Sequence, residues 1–284
     1  MDPLDALKGR LNQLEQTLSR LVNGMEEDIA VARELQRALM PNHTPAVPGL
    51  RSLARYISAQ QIHSESFDLI PTKDNRELWV VTAWTQTFGL SSILLQALVH
   101  LQSRAIVESR PKITPAETFN EISTALTGAR KSGAYRLMVT KLNLANLELS
   151  GVAVGQMPWL RRTRQGSSGF GAWDFVQPEP LRLRPELIRP ASSESPTMAA
   201  QAYSFQAQLS PGTRLFYLSP GWNEQAALND YLAPLALESA PQEDLPGDLN
   251  HLLMGAQAQL KRAEREADIT GLAFEIDAKK LHLA

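Results

Sequence analysis

Cysteine is absent from all 284 residues. Disulfides, thiolate nucleophiles and cysteine-based zinc sites are therefore excluded. An excess of one charge is lacking too: 28 Lys and Arg stand against 30 Asp and Glu, for a formal net charge of -2. Both signs are spread along the chain. A nucleic-acid surface needs clustered basic residues to displace counterions, so nucleic acid is not an expected partner. No apolar run approaches the roughly 20 residues of a membrane helix. The start, "MDPLDALKG", lacks the basic and apolar regions of a secretory signal. The expectation is a cytoplasmic protein with no membrane contact. The histidines, His43, His63, His100, His251 and His282, show no i, i+4 pairing. No "G-K-[ST]" accompanies the glycines of "QGSSGFGAW", which reads as a flexible loop rather than a phosphate cradle. No "G-x-S-x-G" elbow surrounds Ser219, which argues against a serine hydrolase.

What is present begins with a coil pattern. Leu4, Leu7, Leu11, Leu14, Leu18, Leu21 and Met25 recur in alternating steps of three and four, the a and d positions of a heptad. Arg10 then falls at g and Glu15 at the following e, where they meet across a parallel seam. Ile29, Ala32, Leu35 and Leu39 follow after a step of four, a stutter that locally unwinds a supercoil. Pro41 ends the helix. Residues 1–40 are read as a coiled-coil helix that self-associates, with a parallel homodimer as the favoured form and an amphipathic helix packed on its own domain as the alternative; 41–49 are read as a linker, and 50–284 as the folded domain.

Within that domain "RSLARYISA" and "ELWVVTAW" read as strands. "LSSILLQALVHLQSRAIVES" and "PAETFNEISTALTGAR" read as consecutive helices. "YRLMVTKLNLANLELSGVAV" alternates around Ala145 and Asn146 as a hairpin. The tract 165–196, rich in Gly, Ser and Pro, reads as irregular loop. "SFQAQLSPGTRLFYLSPG" reads as a strand pair with a Pro-Gly turn. Helices near Glu224–Leu237 and Leu249–Glu266 and a last strand, "ITGLAFEI", complete the chain. Two helices flanked by hairpins predict an α+β fold with mostly antiparallel sheets. The arginines of "LRRTRQG" and "LRLRPELIRP" are expected on a solvated face.

Six segments in order carry a family resemblance. They are "DIAVARELQRALMP", "YISAQQIHSESFDLI", "TAWTQTFGLSSILL", "LELSGVAVGQMPWL", "LSPGTRLFYLSPGWNE" and "ADITGLAFEI". Together they resemble the SpoIIE/RsbU-like branch of the PPM metal-dependent serine/threonine phosphatases, from about Ile29 onward. The resemblance implies a four-layer α-β-β-α sandwich with a two-metal site at one end of its sheets. In such a site aspartates hold Mg²⁺ or Mn²⁺, and the ions make a hydroxide available near neutral pH.

The scaffold positions match and the chemical ones do not. The bridging Asp of the family's "G-D-V-S-G-H-G" falls on Trp84. The Asp of "Y-T-D-G" falls on Pro220, the first Asp of "D-D-I-T" on Ala267, and the His of "A-G-H-x-P" on Gln156. Its "G-G-D-F-Y-D" becomes His63 and Ser64, then Glu65 for the first Asp, with Asp68 retained. Asp268 keeps the second Asp of the last motif. Gly89, Pro158, Gly212, Gly221 and Thr270 survive as residues that shape turns and strand ends.

The junction "VVTAWTQTFG" therefore resembles a catalytic junction whose bridging ligand is now tryptophan. Tryptophan offers a hard cation no donor, and its ring takes up the volume hydrated ions would need. The implied protein is a pseudophosphatase without metal or other cofactor, acting as a dimeric regulatory binding module in bacterial partner switching or related signalling. Its implied partners are a phosphorylatable anti-sigma-factor antagonist domain or an active phosphatase paralogue. The alternative is a metal-dependent phosphatase with a site rebuilt around Glu65, Asp68 and Asp268, with His63 nearby.

Overall fold

The computed structural model describes residues 26–41, 43–57, 65–85, 90–127, 135–154, 159–164, 170–176, 179–181, 202–219, 244–262 and 268–277, with positions 16 and 24. The heptad leucines from Leu4 to Leu21, Met25, and the helix expected near Glu224–Leu237 lie outside them.

The strands are β1 (Leu50–Ile57), β2 (Glu65–Pro71), β3 (Glu77–Thr85), β4 (Tyr135–Asn143), β5 (Glu148–Val154), β6 (Leu160–Arg164), β7 (Phe170–Phe175), β8 (Glu179–Leu181), β9 (Ala202–Gln208), β10 (Arg214–Leu218) and β11 (Ile269–Ile276). The helices are α1 (26–39), α2 (Leu90–Ser109), α3 (Pro115–Thr127) and α4 (Leu245–Arg262). One sheet runs β1-β11-β10-β6-β7 and the other β2-β3-β4-β5-β9-β8, with antiparallel pairing throughout. The class is α+β, as expected, with the sheets face to face between helical layers.

Strand β3 shows why the sheets stack this way. Every residue from Leu78 to Thr85 is buried, although strand side chains alternate between faces. Leu78 and Val80 join Phe67, Met138, Trp159, Leu215, Tyr217, Leu272 and Phe274 in the core between the sheets. Trp79, Val81 and Ala83 join Leu95, Val99, Ile106, Phe119 and Ile122 under α2 and α3. On the far side α4 packs Leu249, Leu252 and Leu253 onto Phe216, Leu218 and Ala273. Trp159 ties the sheets together by donating from Nε1 to Thr140 Oγ1 at 3.2 Å.

Helix α3 begins on a capping box. The Thr114 amide donates to Glu117 Oε2 at 2.9 Å, and the Glu117 amide to Thr114 Oγ1 at 3.2 Å. Pro115 takes the first helical position, where no amide is needed. Helix α1 lies on α2. Ala32 and Ile93 are fully buried there, with Ile29 and Leu35 packed around them.

Several expectations change. Strand β2 was not anticipated as a strand. Strands β7 and β8 lie inside 165–196, the tract expected to be irregular. Aromatic residues at 170, 173 and 175 favour pairing with β6 despite the glycines around them. Segments β9 and β10 are not a hairpin: β9 pairs with β5 and β8, β10 with β11 and β6. The Pro-Gly turn, with Gly212 at φ 81°, carries the chain from one sheet to the other. Arg162, expected in solvent, is buried beside Asp248 of α4 at 3.6 Å. The same carboxylate accepts from Arg214 Nη1 at 2.6 Å.

Candidate functional site

Parity along the strands decides which predicted residues meet. Glu65 opens β2 and stands opposite Trp84 of β3, which stands opposite Arg136 of β4. All three lie on the face shared by Phe67, Val80 and Met138, which looks toward the second sheet. Glu65 is 2% exposed and Trp84 7%. The Arg136 guanidinium lies over the Trp84 ring, 5.0 Å from its centroid, a cation–π arrangement.

The facing sheet completes this end of the sandwich. Thr270 Oγ1 of β11 donates to Glu65 Oε2 at 2.8 Å, a buried bond from one sheet to the other. The Thr270 amide donates to Ser219 Oγ at 2.9 Å, and the Ser219 amide to the Thr270 carbonyl at 2.9 Å. Asp268, buried, immediately precedes β11. Tyr217 of β10 lies within the electrostatic reach of this row. Burial, reinforced by the Glu65 carboxylate, pushes its hydroxyl well above the ordinary tyrosine range; a Thr82 hydrogen bond and the Arg136 charge pull the other way.

Asp68 does not belong to this group. It is three residues beyond Glu65 and points to the opposite face of β2, toward α2. There it accepts from Arg104 Nε at 2.8 Å and Nη2 at 2.7 Å, and from the Leu69 amide at 2.9 Å. His100 Nδ1 stands 3.1 Å from the same carboxylate. Asp68 therefore clamps α2 to the sheet, and a carboxylate cluster of Glu65, Asp68 and Asp268 does not form. Gln156, Pro220, Ala267, His63 and Gly89 lie outside the described residues.

A chain of polar contacts reaches the end of β3 from α1. Gln36 Nε2 donates to Gln96 Oε1 at 2.9 Å, Gln96 Nε2 to Ser92 Oγ at 3.1 Å, and Ser92 Oγ meets Thr85 Oγ1 at 2.5 Å. All four residues are buried. Ser92, in the first turn of α2, thus meets the residue after Trp84, and Gln96 one turn later supports it.

These donors do not fit a pair of divalent ions. Among the described residues no three His, Cys, Asp or Glu side chains converge. In the row itself Glu65 is the lone carboxylate, one of its oxygens accepts from Thr270, and its neighbour on β3 is an indole. Hard cations require several oxygen ligands.

The sequence reading did not single out Arg136, Tyr217 or the Asp68 partners. Arg136 carried one usable signal, a charge two residues before Met138 and so at an inward position of a period-2 strand.

No family model matches the chain, and no curated protein does. Solved structures do match. The chain is 18% identical to the RsbU and RsbW domains of a Mycobacterium tuberculosis protein, with a TM-score of 0.61 over 84% of this chain and 63% of that one. The SiaA PP2C domain of Pseudomonas aeruginosa is 11% identical, TM-score 0.63, over 90% of this chain and 99% of that one. The phosphatase domain of the cell-fate determinant SpoIIE from Bacillus subtilis is 14% identical, TM-score 0.52, over 82% and 95%. The fold is that of the SpoIIE/RsbU-like PPM phosphatase domains.

Proposed function

We propose that this chain is a catalytically inactive PPM-type pseudophosphatase that works as a dimeric regulatory binding module in bacterial partner switching or related signalling. The observation that carries the reading is Trp84, buried between Glu65 and Arg136 where the family pattern has its bridging aspartate. A two-metal phosphatase needs a carboxylate there to hold both ions and make hydroxide available near pH 7. Pro220 and Ala267, at two further ligand positions, support the same reading from sequence. The domain keeps the scaffold on which its structural neighbours build phosphatases. Recognition of a phosphorylatable antagonist domain, or of an active paralogue, is the use left to it. Relatives of this fold with RsbU and SpoIIE names support the signalling context. No helix among the described residues is long and apolar enough to cross a membrane.

The rebuilt-site alternative needs Asp68 beside Glu65, and Asp68 faces α2 instead. The test is turnover of a phosphoserine peptide with and without Mn²⁺, for the wild type and for Glu65→Ala. No metal-dependent turnover is expected from either. Turnover that requires Mn²⁺ and vanishes in Glu65→Ala would overturn the pseudophosphatase reading.

The dimer has its own test. Each heptad leucine buried at a seam contributes roughly 1.5–3 kcal/mol before ordering costs. The α1 residues beyond the stutter, Ile29, Ala32 and Leu35, pack on the chain's own α2, which leaves Leu4 to Met25 to hold two copies together. A chain starting at Glu26 is expected to stay folded and become monomeric by light scattering. Leu11→Asp with Leu18→Asp is expected to do the same in the full chain. A truncated chain that dimerises as well as the full one would remove the coil from the interface.

A further inference from the structure

We propose that α2 carries a second contact between copies: its exposed leucine stripe packs antiparallel against the α2 of a second copy of this chain. The contact rests on the dimer reading above and adds an interface on the folded domain itself. The large apolar side chains exposed among the described residues are Val31, Leu94, Leu101 and Met254. Leu94 and Leu101 are 56% and 63% exposed and stand two turns apart on one face of α2. Half-buried Ala97 and Leu98 and exposed Ala105 continue that face at helical spacing. The sheet side of α2 takes Leu95, Val99 and Ile106, and α1 covers Ile93. His100 and Arg104 turn to Asp68, so no charge interrupts the stripe from Leu94 to Ala105. A single exposed leucine is ordinary, whereas an uncharged stripe along about three turns of one helix marks an interaction surface.

Shape and charge both select a second α2 as the occupant. With a two-fold axis near Val99 and His100, Leu94 meets Ala105 of the second copy and Leu98 meets Leu101, so the stripe complements itself. Helix α2 has no acidic residue in its first turn and no basic one in its last, where exposed Glu108 stands instead. That is the reverse of what the helix macrodipole favours. Antiparallel pairing sets each Glu108 beside the first turn of the other α2, where a carboxylate is stabilised. A parallel pair would set Glu108 against Glu108. The stripe is far smaller than the roughly 20–30 residues a side of a standard interface. It therefore closes when the coil raises the effective concentration of the second copy toward the millimolar range.

Crosslinking reads the contact directly, because the chain has no cysteine of its own. At tens of micromolar, full-length Ala97→Cys is expected to join two copies through a short bis-maleimide about tenfold faster than Met254→Cys, an exposed control on α4. Adding Leu94→Glu and Leu101→Glu is expected to bring that rate down to the control. Both leucines are exposed, so an unchanged Tm shows that the fold is intact. Glu108→Lys is expected to slow the crosslink as well. Spin labels on Ser109→Cys are expected roughly 30 Å apart in the antiparallel pair, against about 10 Å in a parallel one. Light scattering separates this contact from the coil. A dimeric full chain whose Ala97→Cys reacts no faster than the control would overturn the α2 contact and leave the coil standing. So would labels about 10 Å apart, or an unchanged rate in the double glutamate variant. A monomeric full chain would sink the coil instead. The α2 contact is then read from the same rate ratio at millimolar concentration, and a ratio near one there overturns it too.

Discussion

Titration with Mn²⁺ at millimolar concentration is expected to give no saturable two-site binding, and Trp84→Asp alone is expected to leave turnover at background. The second half is the stricter demand, since it restores the residue whose loss is most conspicuous. In the structure the new carboxylate would stand between Glu65 and Arg136. Its nearest cation would be the Arg136 guanidinium, freed of the ring it rests on. The donors at Pro220 and Ala267 would still be missing. Metal affinity depends on a full ligand set with the right geometry, so one carboxylate returns little of it. Calorimetry on the wild type and the variant, with turnover of a phosphoserine peptide alongside, checks both statements. Two ions bound by the wild type would overturn the first. Mn²⁺-dependent turnover in Trp84→Asp would show that Trp84 by itself keeps the site closed.

The parts of the fold that were legible in the sequence are those in which one local pattern has one structural meaning. The residues of β3 and β11, and the β4–β5 hairpin, combine β-branched or aromatic residues with clear boundaries, and they appear where expected. The β9–β10 segment was read wrongly because a Pro-Gly turn between two strands fits a hairpin and a crossing between sheets equally well. What decides is the partner of β9, which is β5, some fifty residues earlier in the chain. Pairing at that distance leaves no local trace. In β7, glycine and serine around the aromatics gave a loop composition to a strand that is held by its neighbour β6.

The site divides along the same line. Trp84 was legible because a motif with known ligand positions runs through it. Glu65 and Asp68 share one motif, but β2 is not among the strands the sequence predicts, and only on a strand do residues three apart face opposite ways. Arg136 belongs to none of the matched motifs. Its place beside Trp84 comes from the β3–β4 register, which pairs two segments about fifty residues apart.

The asymmetry of the Asp68 clamp makes the last prediction. Asp68 is almost fully buried, while the Arg104 side chain is 40% exposed and that of His100 20%. Arg104→Ala would leave a buried carboxylate with His100 and the Leu69 amide as partners. Asp68→Leu would leave two side chains that can turn toward water. The arginine variant is therefore expected to lose more stability, about 2–3 kcal/mol, below the usual range for a fully buried pair because solvent screens Arg104. For a domain of this size that is a Tm lower by roughly 5–10 °C, with Asp68→Leu losing less.

The pH dependence should change with it. Burial holds the folded His100 below its ordinary value; Asp68 opposes that shift and Arg104 adds to it. The unfolded chain thus binds the His100 proton more readily. This contribution to stability is complete above the unfolded value near 6.5 and is lost as the pH falls below it. Removing Arg104 removes a repulsion and leaves the Asp68 attraction, so the folded histidine takes its proton more easily and the loss between pH 7 and 5 shrinks. Urea unfolding of the wild type, Arg104→Ala and Asp68→Leu at pH 5, 6 and 7 measures all of this. If Asp68→Leu keeps wild-type stability but removes a Mn²⁺-dependent activity, Asp68 is a working ligand rather than a clamp, and the rebuilt-site alternative returns.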